Sequence, residues 1–134
     1  MKIEDLEGVG ETMGAKLRAA GIETTDDMLM AGATSASRDK VAAATGLSGK
    51  LILEWTNHVD LMRIPGVGSE YSDLLEAAGV DSPGELANRN AANLATTFQE
   101  LDAARPNMVR RVPSEATIEG WIADAKKLPK AVDH

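Results

Sequence analysis

The chain of 134 residues has no cysteine, and this excludes disulfides and thiolate metal sites. It also fits a reducing compartment. Aromatic residues are nearly absent: Trp55, Trp121, Tyr71 and Phe98 make up the set. No run approaches the roughly 18 apolar residues of a membrane span. The start, Met1-Lys2-Ile3-Glu4-Asp5, has no secretory apolar region, so a cytoplasmic location is expected. Positive charge is scarce too. Fourteen lysines and arginines face twenty-one acidic residues, a formal charge of −7. Residues 1–61 carry six basic and ten acidic residues, and residues 62–134 carry eight and eleven, so both halves are acidic. A protein that coats DNA by counterion release is normally basic. Catalytic patterns are missing as well. There is no Walker loop, no His-x-x-x-His pair and no serine, histidine and aspartate pattern, so an enzyme is not expected and no cofactor or small-molecule substrate is evident. His58, four residues after Glu54 and two before Asp60, reads as a surface histidine.

What is present is a repeat. Leu6-Glu7-Gly8-Val9-Gly10 recurs as Ile64-Pro65-Gly66-Val67-Gly68, 58 positions later. The register continues through Leu17-Arg18-Ala19-Ala20-Gly21-Ile22 and Leu75-Glu76-Ala77-Ala78-Gly79-Val80. Ser48 through Trp55 then matches Ser114 through Trp121 at an offset of 66. The second copy therefore holds about eight extra residues between Asn88 and Pro113. This divides the chain into a first repeat (1–61), a second repeat (62–128) and a tail (129–134) expected to be disordered.

Alanine, leucine and methionine dominate the apolar content, which favours helices. Punctuation agrees. Thr24 and Ser82 open capping boxes, Ser48 and Ser114 are N-caps, and Gly21 and Gly79 suit left-handed helix ends. The pattern predicts helices near 12–20, 25–31, 35–45, 49–63, 70–78, 83–88, 90–104 and 114–127, with no strand. Trp55 and Trp121 sit at equivalent places among apolar neighbours, so both are expected in the core. Tyr71, opposite Met13 in the first copy, is expected to face it too.

Gly-Val-Gly between helices has a physical rationale. Glycine reaches positive φ without a Cβ clash, and the valine plugs the gap between the helices. The helix that follows points free N–H groups outward, and its dipole adds positive potential. Such a turn is an anion cradle, and in a nucleic-acid protein the anion is a backbone phosphate. The candidates are Gly66, Val67, Gly68 and Ser69, with Gly8, Val9 and Gly10 in the first copy. Arg110 and Arg111, in the insertion, are the candidate cations beside them. Arg105, Lys126, Lys127 and Lys130 would extend this patch, and a solvated surface is the plainer explanation of these cations.

Ile64-Pro65-Gly66-Val67-Gly68 resembles the hairpin of helix-hairpin-helix proteins such as the DNA-contacting modules of ligases and Holliday-junction proteins. Residues 17–24 are similar to a stretch of the C-terminal domain of RNA polymerase alpha, another helix-hairpin-helix relative. Residues 61–80, together with Arg110-Arg111-Val112-Pro113-Ser114-Glu115-Ala116 and the Trp121 helix, resemble the bacterial family catalogued as domain of unknown function 4332. That resemblance covers nearly the whole chain. It implies an all-α fold of tandem helix-hairpin-helix repeats and a nucleic-acid connection, with duplex DNA favoured over RNA and binding that is weak and independent of sequence. Glu11 and Glu70 depart from the lysine, arginine or small residue that phosphate-binding hairpins place after the second glycine. That departure, with the acidic charge, supports the other reading: a protein-interaction adaptor, with a partner or a second copy bound through the Trp121 helix.

Overall fold

The computed structural model describes all residues, Met1–His134. It is all helical. A 3-10 turn at Ile3–Asp5 precedes α1 (Gly10–Ala19), α2 (Thr25–Ala31), α3 (Ser35–Thr45), α4 (Gly49–Leu61), α5 (Ser69–Ala77), α6 (Pro83–Leu86), α7 (Ala91–Ala104) and α8 (Glu115–Ala125). Each of the eight predicted helices is present. No helix is long and apolar enough to cross a membrane. The sole β feature is an isolated antiparallel bridge between Lys2 and Thr24.

Side-chain caps set most of the boundaries. Thr24 Oγ1 accepts the Asp27 N–H at 3.1 Å, and the Asp27 carboxylate takes the N–H of Thr24 in return. The N–H groups of Glu23 and Thr24 hold the Asp27 carboxyl below its usual range. Thr34, Ser48, Ser82, Asn90 and Ser114 cap the helices behind them in the same sense. Gly21 and Gly79, each at φ +88°, end α1 and α5, and Gly46 at φ +73° ends α3.

The chain forms two compact units, Met1–Asp60 with Ala131–His134, and Leu61–Lys130. In unit 1, α1 packs on the 3-10 turn and α3, and α2 packs on α3. Ile3, Leu17, Met28, Ile52 and Trp55 fill its interior. In unit 2, α7 and α6 pack on α8, and α5 packs on α7. Leu75, Leu86, Phe98, Ile118 and Trp121 form its core. Each such side chain, fully buried, contributes about 1.5–3 kcal/mol of transfer free energy.

Two expectations are corrected here. His58 is not at the surface but 4 % exposed, because α4 is enclosed on every side from Trp55 to Asp60. The tail is not disordered. Val132 is buried, and Asp133 and His134 bond to unit 1. A single β-branched plug and two polar contacts give it a fixed seat, which composition could not reveal.

Candidate nucleic-acid interface

The two glycine turns share a plan. The Val9 N–H donates to the Leu6 carbonyl at 3.1 Å, and the Val67 N–H donates to the Ile64 carbonyl at 3.0 Å. Both valines are buried, as plugs between helices should be. Gly8 and Gly66 take φ +86° and +88°, where a Cβ would clash with the backbone. Beneath each lies a tryptophan. A Cβ on Gly66 would sit 3.3 Å from Trp121 Nε1, and one on Gly8 would sit 3.7 Å from Trp55 Nε1. Glycine is thus required by the dihedral in both turns, and at Gly66 the indole presses close as well, whereas the Gly8 contact would be an ordinary one.

The turns then diverge. Gly10 has φ +68° and already belongs to α1. Gly68, its equivalent, has φ −97° and ψ −167°, backbone that any residue adopts. The expectation of positive φ therefore holds at Gly10 and not at Gly68.

Gly8, Gly10, Gly66 and Gly68 are all exposed, and their amides form no hydrogen bond within the chain. The amides of Val9 and Val67 are spent on the turn itself. Neither α1 nor α5 has a side-chain cap, in contrast to the capped helices above. The carbonyl of Ser69 accepts Ser72 Oγ at 2.8 Å, so the start of α5 is braced from within.

The surroundings separate the turns further. In unit 2 the segment between α7 and α8, Arg105 to Ser114, returns to α5. Glu70 Oε1 accepts the Arg110 N–H at 3.2 Å, and Glu70 Oε2 lies 3.3 Å from Arg110 Nε. The Arg110 side chain is 92 % exposed, so this pair is strongly screened. Tyr71 donates its hydroxyl to the Arg111 carbonyl at 2.9 Å and stacks at a tilt on Trp121, ring centroids 5.1 Å apart. Arg110 and Arg111 are therefore tied to Glu70 and Tyr71 in the first turn of α5, the residues that follow the 66–69 turn. The contact was illegible in the sequence, since the partners lie 40 residues apart. A shallow cleft between Tyr71, Arg111, Ser114 and Thr117 adjoins it.

Unit 1 has no such insertion. Arg18, in the cleft beside the turn, is bound by both carboxylate oxygens of Glu4, one of them 2.7 Å from Nη2. The Arg18 hydrogen bond pulls the Glu4 carboxyl down to about 2. The cleft beside the turn is lined by Lys2, Glu4, Asp5, Glu11, Ala15 and Arg18. Arg105 lies past the end of α7, and Lys126 and Lys127 past α8, all three exposed. No hydrogen bond or ion pair ties these three side chains to the 66–69 turn.

The match to known families decides the kinship of the chain. Residues 7–128 fit the model described as "Domain of unknown function (DUF4332)", which spans both units. The chain belongs to the DUF4332 family. No curated protein and no solved structure matches it. In this DUF4332 chain the family match takes in both glycine turns, both tryptophans and the Arg105–Ser114 segment.

Proposed function

We propose that the chain is a non-catalytic module with tandem helix-hairpin-helix repeats that binds nucleic acid, duplex DNA foremost, by its backbone phosphates and without regard to sequence. The observation that carries this is the Gly66–Ser69 turn. Exposed glycine amides stand at an uncapped helix start, and an arginine, Arg110, pairs with Glu70 in the first turn of that helix. Amide donors and the helix dipole suit a phosphate, and an arginine adds charge-assisted bonds. Gly66, Gly68, Ser69, Arg110 and Arg111 make up this site; Val67, buried and with its amide given to Ile64, shapes the turn from beneath. Gly8 and Gly10, around the buried Val9, are a second, weaker one, since Glu7 and Glu11 flank them in sequence.

The test is duplex binding, read by fluorescence anisotropy. With about two phosphates contacted, affinity should fall about tenfold between roughly 50 and 200 mM salt. Gly68→Glu is the decisive variant. Its backbone is unstrained and a Cβ there meets nothing within 4 Å, so the fold is kept while a carboxylate enters the anion seat. Binding should vanish in this variant. Binding by the native chain that persists unchanged in Gly68→Glu would remove the turn from the interface.

The adaptor reading keeps one observation of its own. Glu4, Asp5 and Glu11 line the cleft beside the unit 1 turn, and the arginine in that cleft, Arg18, is engaged by Glu4. Absence of any duplex binding at low salt would favour a protein partner.

A further inference from the structure

The last four residues leave unit 2 and finish on unit 1. Val132 is 1 % exposed. The Asp133 N–H donates to the Ala33 carbonyl at 2.8 Å, and His134 Nε2 lies 2.8 Å from Asn57 Oδ1. Pro129, just upstream, is held within unit 2, where its carbonyl accepts Arg63 Nη2 at 2.8 Å. The segment is neither helix nor strand.

The seat is built without the tail. A Cβ on Gly32 would lie 1.9 Å from Thr56 Oγ1, so the end of α2 rests directly on α4. Arg38, itself buried, donates Nη1 to the Gly32 carbonyl at 2.8 Å. These two contacts fix the Gly32–Ala33 peptide and so aim the Ala33 carbonyl. Asn57 follows Thr56 on the same helix. The Ala33 acceptor, braced by Arg38 and Thr56, and the Asn57 amide on α4 thus stand in unit 1 independently of the tail, whereas the segment that meets them is a short extended strap. A strap held by one plug and two polar contacts must offset the ordering of four residues, so it opens locally.

We propose that this groove of unit 1 is a docking site for an extended peptide that carries an apolar residue and, two positions on, a hydrogen-bonding side chain, and that Ala131–His134 closes it in cis as a displaceable latch. The chemistry of the ligand is that of the occupant already seated: an apolar plug, a backbone N–H for Ala33 and a polar side chain for Asn57. The short tether keeps the latch at a local concentration on the order of millimolar. A partner peptide displaces it by adding contacts beyond the latch or by reaching a similar concentration. The site is separate from the glycine turn of unit 2 and stands or falls independently of nucleic-acid binding.

The absence of cysteine allows a direct test. Val132→Cys puts one thiol in the slot, and Ala125→Cys puts one in the core of unit 2 as a control. Reaction with a disulfide reagent, compared with the same thiol in a short unstructured peptide, measures opening. Val132→Cys should be protected only about 10- to 100-fold, and Ala125→Cys at least about tenfold more. An acetylated peptide matching residues 130–134, at a few millimolar or so, should accelerate labelling of Val132→Cys several-fold by occupying the vacated groove. The same peptide with aspartate in place of valine should not. Amide exchange of Asp133 against that of Val80 in the native chain repeats the comparison without a substitution. Equal protection at the two sites, or labelling that the matching peptide leaves unchanged, would overturn the proposal.

Discussion

Trp121 lies under Gly66 so closely that its indole nitrogen would be 3.3 Å from any added Cβ. Trp55 and Gly8 repeat the arrangement in unit 1 at 3.7 Å. The tryptophans, set about 50 residues downstream of the turns, are thus part of the turn geometry and not merely core filling.

The same substitution should therefore have opposite effects two residues apart. Gly66→Ala meets positive φ and the indole, and should cost about 1–2 kcal/mol. Gly68→Ala meets neither, and should be neutral or stabilise by about 0.4–1 kcal/mol through the unfolded chain. Gly10→Ala, at the position equivalent to Gly68, should destabilise because its φ is +68°. Urea unfolding of the three variants checks all three signs.

Gly32→Ala should be among the most damaging small changes in unit 1. Its Cβ would overlap Thr56 Oγ1 at 1.9 Å and Thr56 Cβ at 2.8 Å. Overpacking of this kind costs about 1–3 kcal/mol. Thr56→Ala in the same chain should recover part of the loss, because the hydroxyl is the nearest atom. A double-mutant cycle by thermal unfolding measures the coupling.

The Glu4–Arg18 pair predicts an acid response. The folded Glu4 carboxyl sits near about 2, below its ordinary 4.5, first because of its hydrogen bond to Arg18. A depressed carboxyl adds stability above its unfolded pKa and loses it as pH falls through the folded value. Stability should therefore drop from about pH 4.5 toward pH 2, and Glu4→Gln should flatten this part of the profile. Denaturant midpoints measured across that window would show a parallel curve if the pair did not contribute.

Glu70 competes for Arg110 and places a carboxylate in the first turn of α5. In the phosphate reading, Glu70→Gln should tighten duplex binding by about threefold to tenfold, since a local repulsion goes and the arginine is released. Arg110→Ala should weaken binding and lower the salt dependence by about one phosphate. Anisotropy titrations at several salt concentrations give both values. Weaker binding by Glu70→Gln would mean that the carboxylate serves to position Arg110.

Much of this was legible in one dimension. The 58-residue repeat placed equivalent helices, and caps such as Thr24, Ser48 and Ser114 set their starts, because a cap is a contact over three residues. The buried valines of the turns and the two core tryptophans followed from position in the repeat. His58 was misplaced for the opposite reason. Glu54 and Asp60 lie near it in sequence and suggest a solvated face, while the structure buries α4 on every side from Trp55 to Asp60.

The sequence alone determined the helical class, the repeat and the glycines at Gly8, Gly21, Gly66 and Gly79, since helix propensity, capping and the left-handed backbone are local matters of sterics and short hydrogen bonds. Only the tertiary structure decided that Arg110 meets Glu70, that Trp121 underlies Gly66 and that Val132 returns to unit 1. Those contacts join residues 40 or more positions apart, and no local preference encodes which distant surface a side chain will find.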